Sequence, residues 1–385
     1  MRVGVPREVK ADEYRVALTP AGAHELVRAG HQVLVERDAG TGSSIADGEY
    51  AAAGADVVGS ADAVWDAADL VVKVKEPVPE EYGRLRAGQV LFAYLHLAAS
   101  RSCTEALVAS GATAVAFETV QRPDGTLPLL TPMSEVAGRM APQVGAHVLE
   151  RESGGRGVLL GGVSGARDAE VVVLGAGVAG TSAASVAVGM GAATCVLDRD
   201  VDKLRRLDRM FQGRVQTLAS TTFEVERVVL DADLVVGAVL VPGARAPELV
   251  GDDLVRRMKA GAVLVDVAID QGGCFAHSRP TTHSHPTFAV HDVLYYCVAN
   301  MPGAVPHTST HALANVTLPS VLEIARSGLA AAVAVDPALA RGVNVVDGSV
   351  VYPAVAEAHG LPCVPLAEVL GGGASTSEGG TGDLR

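Results

Sequence analysis

Aromatic residues make up only 4% of this 385-residue chain, with a single tryptophan among them. Its core must therefore close through aliphatic and small side chains, and hydrophobic residues at 49% supply enough of them. That composition suits helices packed closely on sheets. No apolar run reaches the ~18 residues a membrane span requires, so no membrane partner is expected. The start, Met1-Arg2-Val3-Gly4-Val5, reads as a strand and lacks the charged-then-apolar order of an export leader. Basic residues are also short, 31 against 44 acidic ones, for a formal charge of −13. No basic patch is expected to draw in a phosphate backbone, which argues against a nucleic-acid partner. The five cysteines (103, 195, 274, 297 and 363) form no CxxC pair and read as reduced thiols of a cytoplasmic protein.

Glycine, in contrast, is plentiful at 43 residues. An apolar strand runs from Val171 to Leu174 straight into Gly175-Ala176-Gly177-Val178-Ala179-Gly180. A helical stretch follows, and then a second apolar run closes on Asp198. In this context Gly175 permits the tight turn, Gly177 lets backbone approach a pyrophosphate, and Gly180 lets helix and strand pack closely. The helix N-terminus offers its free N–H groups to phosphate. Asp198 stands about twenty residues on, where a carboxylate can accept both hydroxyls of an adenosine ribose. That favours NAD over NADP, although the neighbouring Arg199 could accept a 2′-phosphate.

The length exceeds what one hydrophobic core usually serves. The expected class is α/β, with two Rossmann-like doubly wound domains and an interdomain active-site cleft. Strand signals near Arg2–Pro6, His31–Glu36, Leu70–Lys75, Gln89–His96 and Ala112–Thr119 alternate with helical segments, the rhythm of a parallel sheet. Thr19-Pro20 reads as a helix cap with proline in the first turn, and Gly30 as that helix's end. A long helical pattern runs from Met133 to about Arg151 with Pro142 as an expected kink or restart. Six strands follow, near 170–174, 194–198, 214–219, 234–240, 262–268 and 288–291. Another long helix, from Thr308 to about Arg326, leads into a tail of mixed signals. The expected division is 1–128 and 307–370 for a substrate domain, 129–306 for a NAD domain, and 371–385 as a disordered, glycine-rich tail.

Ligands of parallel sheets sit at the carboxyl ends of strands. Lys75, His96 and Asp270 stand at such expected ends, and Arg15 lies on the loop after the first strand. Each has an ordinary alternative: a solvated strand end, a hydrogen-bonded core histidine, a turn former, a surface ion pair. As a set they could fix a small carboxylate and move protons near neutral pH.

Several blocks go beyond a generic Rossmann pattern. Arg2-Val-Gly-Val-Pro-Arg-Glu-Val-Lys, Tyr14-Arg-Val-Ala-Leu-Thr-Pro, Val74-Lys-Glu-Pro, Leu95-His-Leu-Ala-Ala-Ser, Pro132-Met-Ser-Glu-Val-Ala-Gly-Arg, Val265-Asp-Val-Ala-Ile-Asp-Gln-Gly-Gly and Val298-Ala-Asn-Met-Pro resemble the L-alanine dehydrogenase family. The resemblance covers roughly residues 1–370. It implies reversible NAD-dependent deamination of L-alanine to pyruvate and ammonium, by an enzyme that is typically a homohexamer. Carried over by position, Arg15 and Lys75 hold the substrate carboxylate and carbonyl, with Met133 and Asn300 also at the substrate. His96 and Asp270 manage protons and water or ammonia. Ser134, Gly175, Gly177, Val178, Ala179, Gly180, Asp198, Lys203, Ser220, Val239, Leu240, Val267, Asp270, Val298, Asn300 and Met301 line the cofactor.

The alternatives are the NAD(H)-binding component of a proton-translocating transhydrogenase, a saccharopine dehydrogenase, and a non-enzymatic NAD-sensing scaffold. The first would carry an Arg-Gln-Asp loop where this chain reads Ile269-Asp270-Gln271-Gly272-Gly273. His277, His283, His285 and His291 cluster in sequence, but only Cys274 and Asp292 stand near ligand spacing. No metal is therefore expected.

Overall fold

Short apolar, β-branched runs build the strands, and the computed structural model describes them within residues 1–239 and 246–371. In chain order they are β1 Arg2–Val5, β2 Gln32–Glu36, β3 Asp56–Val58, β4 Leu70–Val72, β5 Val90–Ala93, β6 Thr113–Ala116, β7 Glu170–Leu174, β8 Ala193–Asp198, β9 Val215–Ala219, β10 Leu234–Gly237, β11 Val263–Asp266, β12 Thr287–Val290, β13 Val293–Tyr296, β14 Val343–Val346 and β15 Ser349–Val350. They belong to two units, one formed by Met1–Leu130 with the chain from Pro306 onward, the other by Thr131–Val305.

The first sheet runs β15-β14-β6-β5-β4-β1-β2-β3, and the second runs β12-β13-β11-β10-β7-β8-β9. Six successive strands of each follow the same doubly wound order, which reverses beside β1 in one sheet and beside β7 in the other. Those reversals are where ligands bind in open α/β sheets. Strands buried on both faces read as unbroken apolar runs. Leu70, Val71 and Val72 of β4, like Val263, Leu264 and Val265 of β11, are fully buried. The expected helix after Thr19 is present as Pro20–Arg28, with the Thr19 hydroxyl accepting the Gly22 N–H at 3.3 Å.

Several expectations need correction. The strands that lead to Lys75 and His96 stop three residues short of them, at Val72 and Ala93. Carboxylates replace the ladder there: Glu8 accepts the Val74 N–H at 2.6 Å, and Glu118 accepts the N–H of Leu95 at 3.2 Å and of His96 at 2.6 Å. The strand expected near 288–291 is a hairpin of two, β12 and β13, paired antiparallel with Val290 opposite Val293. Its two-residue turn is His291-Asp292, with both φ angles positive at 51° and 63°. That is the twist-matched turn usually written Asn-Gly, made here from residues that give no such signal. The long helix spans Thr131–Val148 without restarting at Pro142. Residues 372–385 of the expected tail lie outside the described residues, and Gly371 closes the helix Leu366–Gly371. Among the described residues no helix is long and apolar enough to cross a membrane.

Candidate active site

In the first unit, the loop after β1 carries Glu8, Glu13 and Arg15 past the carboxyl edge of the sheet. Arg15 is 2% exposed. Its Nε donates to Glu13 Oε1 at 2.6 Å, and a second guanidinium nitrogen donates to Glu13 Oε2, the two-pronged grip arginine makes on carboxylates. Burial pushes the Glu13 carboxyl up, but the bonds and charge of Arg15, with a smaller contribution from Lys75, outweigh it and hold the group below its ordinary value. Burial pulls Arg15 down, and Glu13 more than restores it.

Tyr94 is buried and donates its hydroxyl to the Leu129 carbonyl at 2.7 Å. Burial raises its pKa first, with the Arg15 charge acting the other way. The exposed His96 ring stacks on Tyr94, with centroids 6.2 Å apart and planes 13° from parallel. His96 takes a left-handed backbone, φ 48°, that turns the chain into the short 3₁₀ turn Leu97–Ala99. Arg15, Lys75 and His96, apart in sequence, are thus linked through Glu13 and Tyr94.

Beneath Lys75 lies a buried set of ions. Lys73 Nζ sits 2.9 Å from Glu81 Oε1 and 3.3 Å from Glu8 Oε2, with all three side chains at most 3% exposed. Burial pushes the Glu8 carboxyl up against the pull of Lys73, while the two carboxylates hold Lys73 up despite its burial. The remaining Glu81 oxygen accepts the Val78 N–H at 3.1 Å. These bonds fix both ends of the segment 73–78 that carries half-buried Lys75.

In the second unit, β7 turns into the helix Val178–Gly189 through the glycines. Gly175 has φ 107°, and a Cβ there would meet the Ala238 carbonyl oxygen at 2.6 Å. At Gly180 a Cβ would lie 1.7 Å from the Gly175 carbonyl oxygen. At Gly177 it would meet nothing within 4 Å, so the backbone is approachable at that point alone of the three. Gly177 caps the helix without a side-chain hydrogen bond, leaving the first-turn N–H groups, including those at Val178 and Ala179, for a ligand. Asp198 ends β8, where its Oδ2 accepts the Ala176 N–H at 2.7 Å and lies 3.7 Å from Lys203 Nζ. The Ser220 N–H donates to the Asp198 carbonyl at 3.0 Å. This open cradle with a carboxylate at its edge fits a dinucleotide.

Met133 and Ser134 occupy the first turn of Thr131–Val148. The same helix bears Gly138, where a Cβ would stand 2.1 Å from the Ala179 carbonyl oxygen, so it packs directly on the glycine turn. Val239 follows β10, and Val267 donates its N–H to Gly237 at 2.9 Å. Leu240 lies outside the described residues. Val298 is buried, Asn300 is left-handed at φ 59°, and Met301 opens the 3₁₀ turn Met301–Ala304.

Asp270 is exposed on the 3₁₀ turn Ile269–Gln271, four residues beyond the end of β11. Fully buried Asp266 anchors that segment. It accepts from the Ala268 N–H at 3.1 Å, the Cys274 N–H at 2.9 Å and the Ser278 hydroxyl at 2.5 Å. Burial raises its pKa against these bonds.

Glu8, Glu13, Lys73, Glu81, Tyr94, Glu118 and Asp266 support the site and are not among the residues expected from the sequence. A lysine inside the apolar run Leu70–Val74, with glutamates nearby in sequence, was the available signal for a buried ion set.

Two family models match this chain: the alanine dehydrogenase/PNT N-terminal domain over residues 4–137 and its C-terminal domain over 141–353. A Mycobacterium tuberculosis protein named alanine dehydrogenase is 61% identical over 370 residues, covering 96% of this chain and all of that one. A solved L-alanine dehydrogenase superposes with a TM-score of 0.91 at 52% identity, over 93% of this chain and 99% of that one. A transhydrogenase from Sinorhizobium meliloti superposes at 0.78 with 25% identity, over 92% and 100%.

Proposed function

This chain belongs to the alanine dehydrogenase/PNT family, and we propose that it interconverts L-alanine with pyruvate and ammonium using NAD. The observation that carries this reading is the gathering of Arg15, Lys75 and His96 around Glu13 and Tyr94. It is equipment for a small carboxylate with a titratable group beside it, in a chain 61% identical to an alanine dehydrogenase. The transhydrogenase alternative is weaker on both counts, since its solved counterpart is 25% identical and the loop at Asp270 reads Asp-Gln-Gly-Gly.

In this reading residues 1–128 and 307–370 form the substrate domain and 129–306 the NAD-binding domain. Arg15 grips the substrate carboxylate in the way it grips Glu13. Lys75 places its positive charge on the oxygen or nitrogen at the reacting carbon, where negative charge builds as the carbonyl is attacked. Met133 and Asn300 shape the remaining face of the substrate. Bound NAD supplies the hydride acceptor. His96 takes the proton released as water adds to the imine, and Asp270 orients that water or the departing ammonia. The N–H groups of Val178 and Ala179 hold the pyrophosphate, and Asp198 holds the adenosine ribose. Ser134, Lys203, Ser220, Val239, Leu240, Val267, Val298 and Met301 complete the cofactor's surroundings. The assembly proposed is a cytoplasmic homohexamer that engages neither membrane nor nucleic acid.

The deciding experiment follows NADH at 340 nm with NAD and L-alanine at alkaline pH, with glycine and L-serine as comparison substrates. Robust turnover of L-alanine is expected. Absence of any L-alanine-dependent NADH would overturn the reading.

A further inference from the structure

Three side chains distant in sequence converge on the surface of the second unit. Asp252 begins the short helix Asp252–Val255, His277 lies on the segment that Asp266 anchors through Ser278, and His291 sits in the β12–β13 turn. Both Nε2 atoms point at one oxygen: His277 lies 2.6 Å and His291 2.8 Å from Asp252 Oδ1. The other oxygen, Oδ2, is taken by Arg256 Nε at 2.8 Å. The carboxylate is thereby locked with a single oxygen turned toward the two imidazoles. One ligand atom from each residue lies within 4.8 Å of the others.

From this geometry we infer a binding site for a borderline divalent transition cation, zinc being the type, ligated by Asp252 Oδ1, His277 Nε2 and His291 Nε2. Two imidazoles and one carboxylate are a zinc, cobalt or nickel donor set, whereas magnesium and calcium seek oxygen ligands. The remaining coordination position faces solvent, since all three side chains are between 28% and 46% exposed. His283 and His285, whose sequence spacing alone drew attention, are not in the cluster. The carboxylate that completes the cluster is 25 residues from one histidine and 39 from the other, beyond any local spacing rule.

A cation held there ties the His291-Asp292 turn to the segment Ile269–Ser278, which Asp266 fixes from its other side. It is expected to stiffen the stretch that carries Asp270.

The test uses full-length, untagged protein freed of metal by chelator, with cobalt(II) followed by its visible absorption and zinc by calorimetry. A single equivalent of each is expected per chain, with zinc displacing cobalt. Removing a group that merely supports a metal ligand already costs about 10–100-fold in affinity, so His277→Ala and His291→Ala should each weaken binding by more than tenfold. His277→Gln keeps a hydrogen bond to Asp252 but ligates poorly, and should fail equally while far-UV circular dichroism stays unchanged. The double variant His283→Ala/His285→Ala should bind as the parent does. Absence of binding to the parent at millimolar cation would overturn the proposal. So would binding that survives the changes at 277 and 291, or that is lost only with 283 and 285.

Discussion

At the point where its strand order reverses, the first sheet surrounds itself with ionised side chains, whereas the second uses glycine and bare backbone. Arg15 and Lys73 rank with Trp65 and Tyr50 among the largest fully buried side chains, and each has its carboxylates buried with it. At the equivalent place in the second sheet stand Gly175, Gly177 and Gly180, with Asp198 tied to a backbone N–H. A small substrate offers one carboxylate and one carbonyl, which convergent charges can grip in a fixed orientation. A dinucleotide is long and presents phosphates, which a helix N-terminus meets without any side chain. On the proposed assignment, one topology serves two ligands because the residues after its strands differ.

The sharpest way to break this division is at His96. If proton handling belongs to the first unit, His96→Ala should lower turnover by about 10²–10⁴-fold. NADH affinity, read by titration calorimetry, should stay unchanged; a parallel loss of NADH binding would blur the two roles.

The next largest effect concerns Lys73. Removing it strands Glu8 and Glu81 as buried carboxylates, which typically costs about 3–5 kcal/mol. Urea unfolding of Lys73→Ala should show that loss. Lys73→Met combined with Glu8→Gln and Glu81→Gln should recover most of it, because buried ions often exchange for neutral groups of similar volume at little cost.

Asp198 offers the matching test on the second unit. Asp198→Ala removes a charged hydrogen-bond acceptor, a change of about 1.5–3 kcal/mol. With Arg199 kept, steady-state rates should show the preference for NAD over NADP narrowing by tenfold or more, with pyruvate affinity unaffected.

A smaller effect is written in pH. Glu13 is held below its ordinary value in the folded chain by Arg15, so its contribution is present above the ordinary glutamate range and fades as pH falls through the lowered value. Glu8 is raised by burial and works in the opposite sense, its cost easing on acidification. Glu13→Gln should therefore narrow the stability gap between pH 7 and acid, measured by thermal unfolding across that range.

The same contrast explains what could be read from the sequence. The glycine turn, the Thr19-Pro20 cap and the long helix Pro306–Ser327 announce themselves because backbone conformation dictates residue type. β15, with two residues, is too short to show a period, and the edge strand β3 and the antiparallel β14 lie in segments whose signals are mixed. The His291-Asp292 turn went unseen because it carries no glycine, the usual mark of a two-residue turn with two positive φ angles. Arg15, Lys75 and His96 stand out in the sequence as candidates for the proposed chemistry. Their supports Glu13, Glu118 and Tyr94 do not, since burial and pairing are decided by the folded sheet and leave no local pattern.

The division of labour is tested most directly at Arg15. Arg15→Lys keeps the charge but loses the two-pronged grip. The Michaelis constant for both pyruvate and L-alanine should rise, with NADH affinity by calorimetry equal to that of the parent. An unchanged constant for pyruvate, or a fall in NADH affinity alongside it, would contradict the assignment of substrate to the first unit and cofactor to the second.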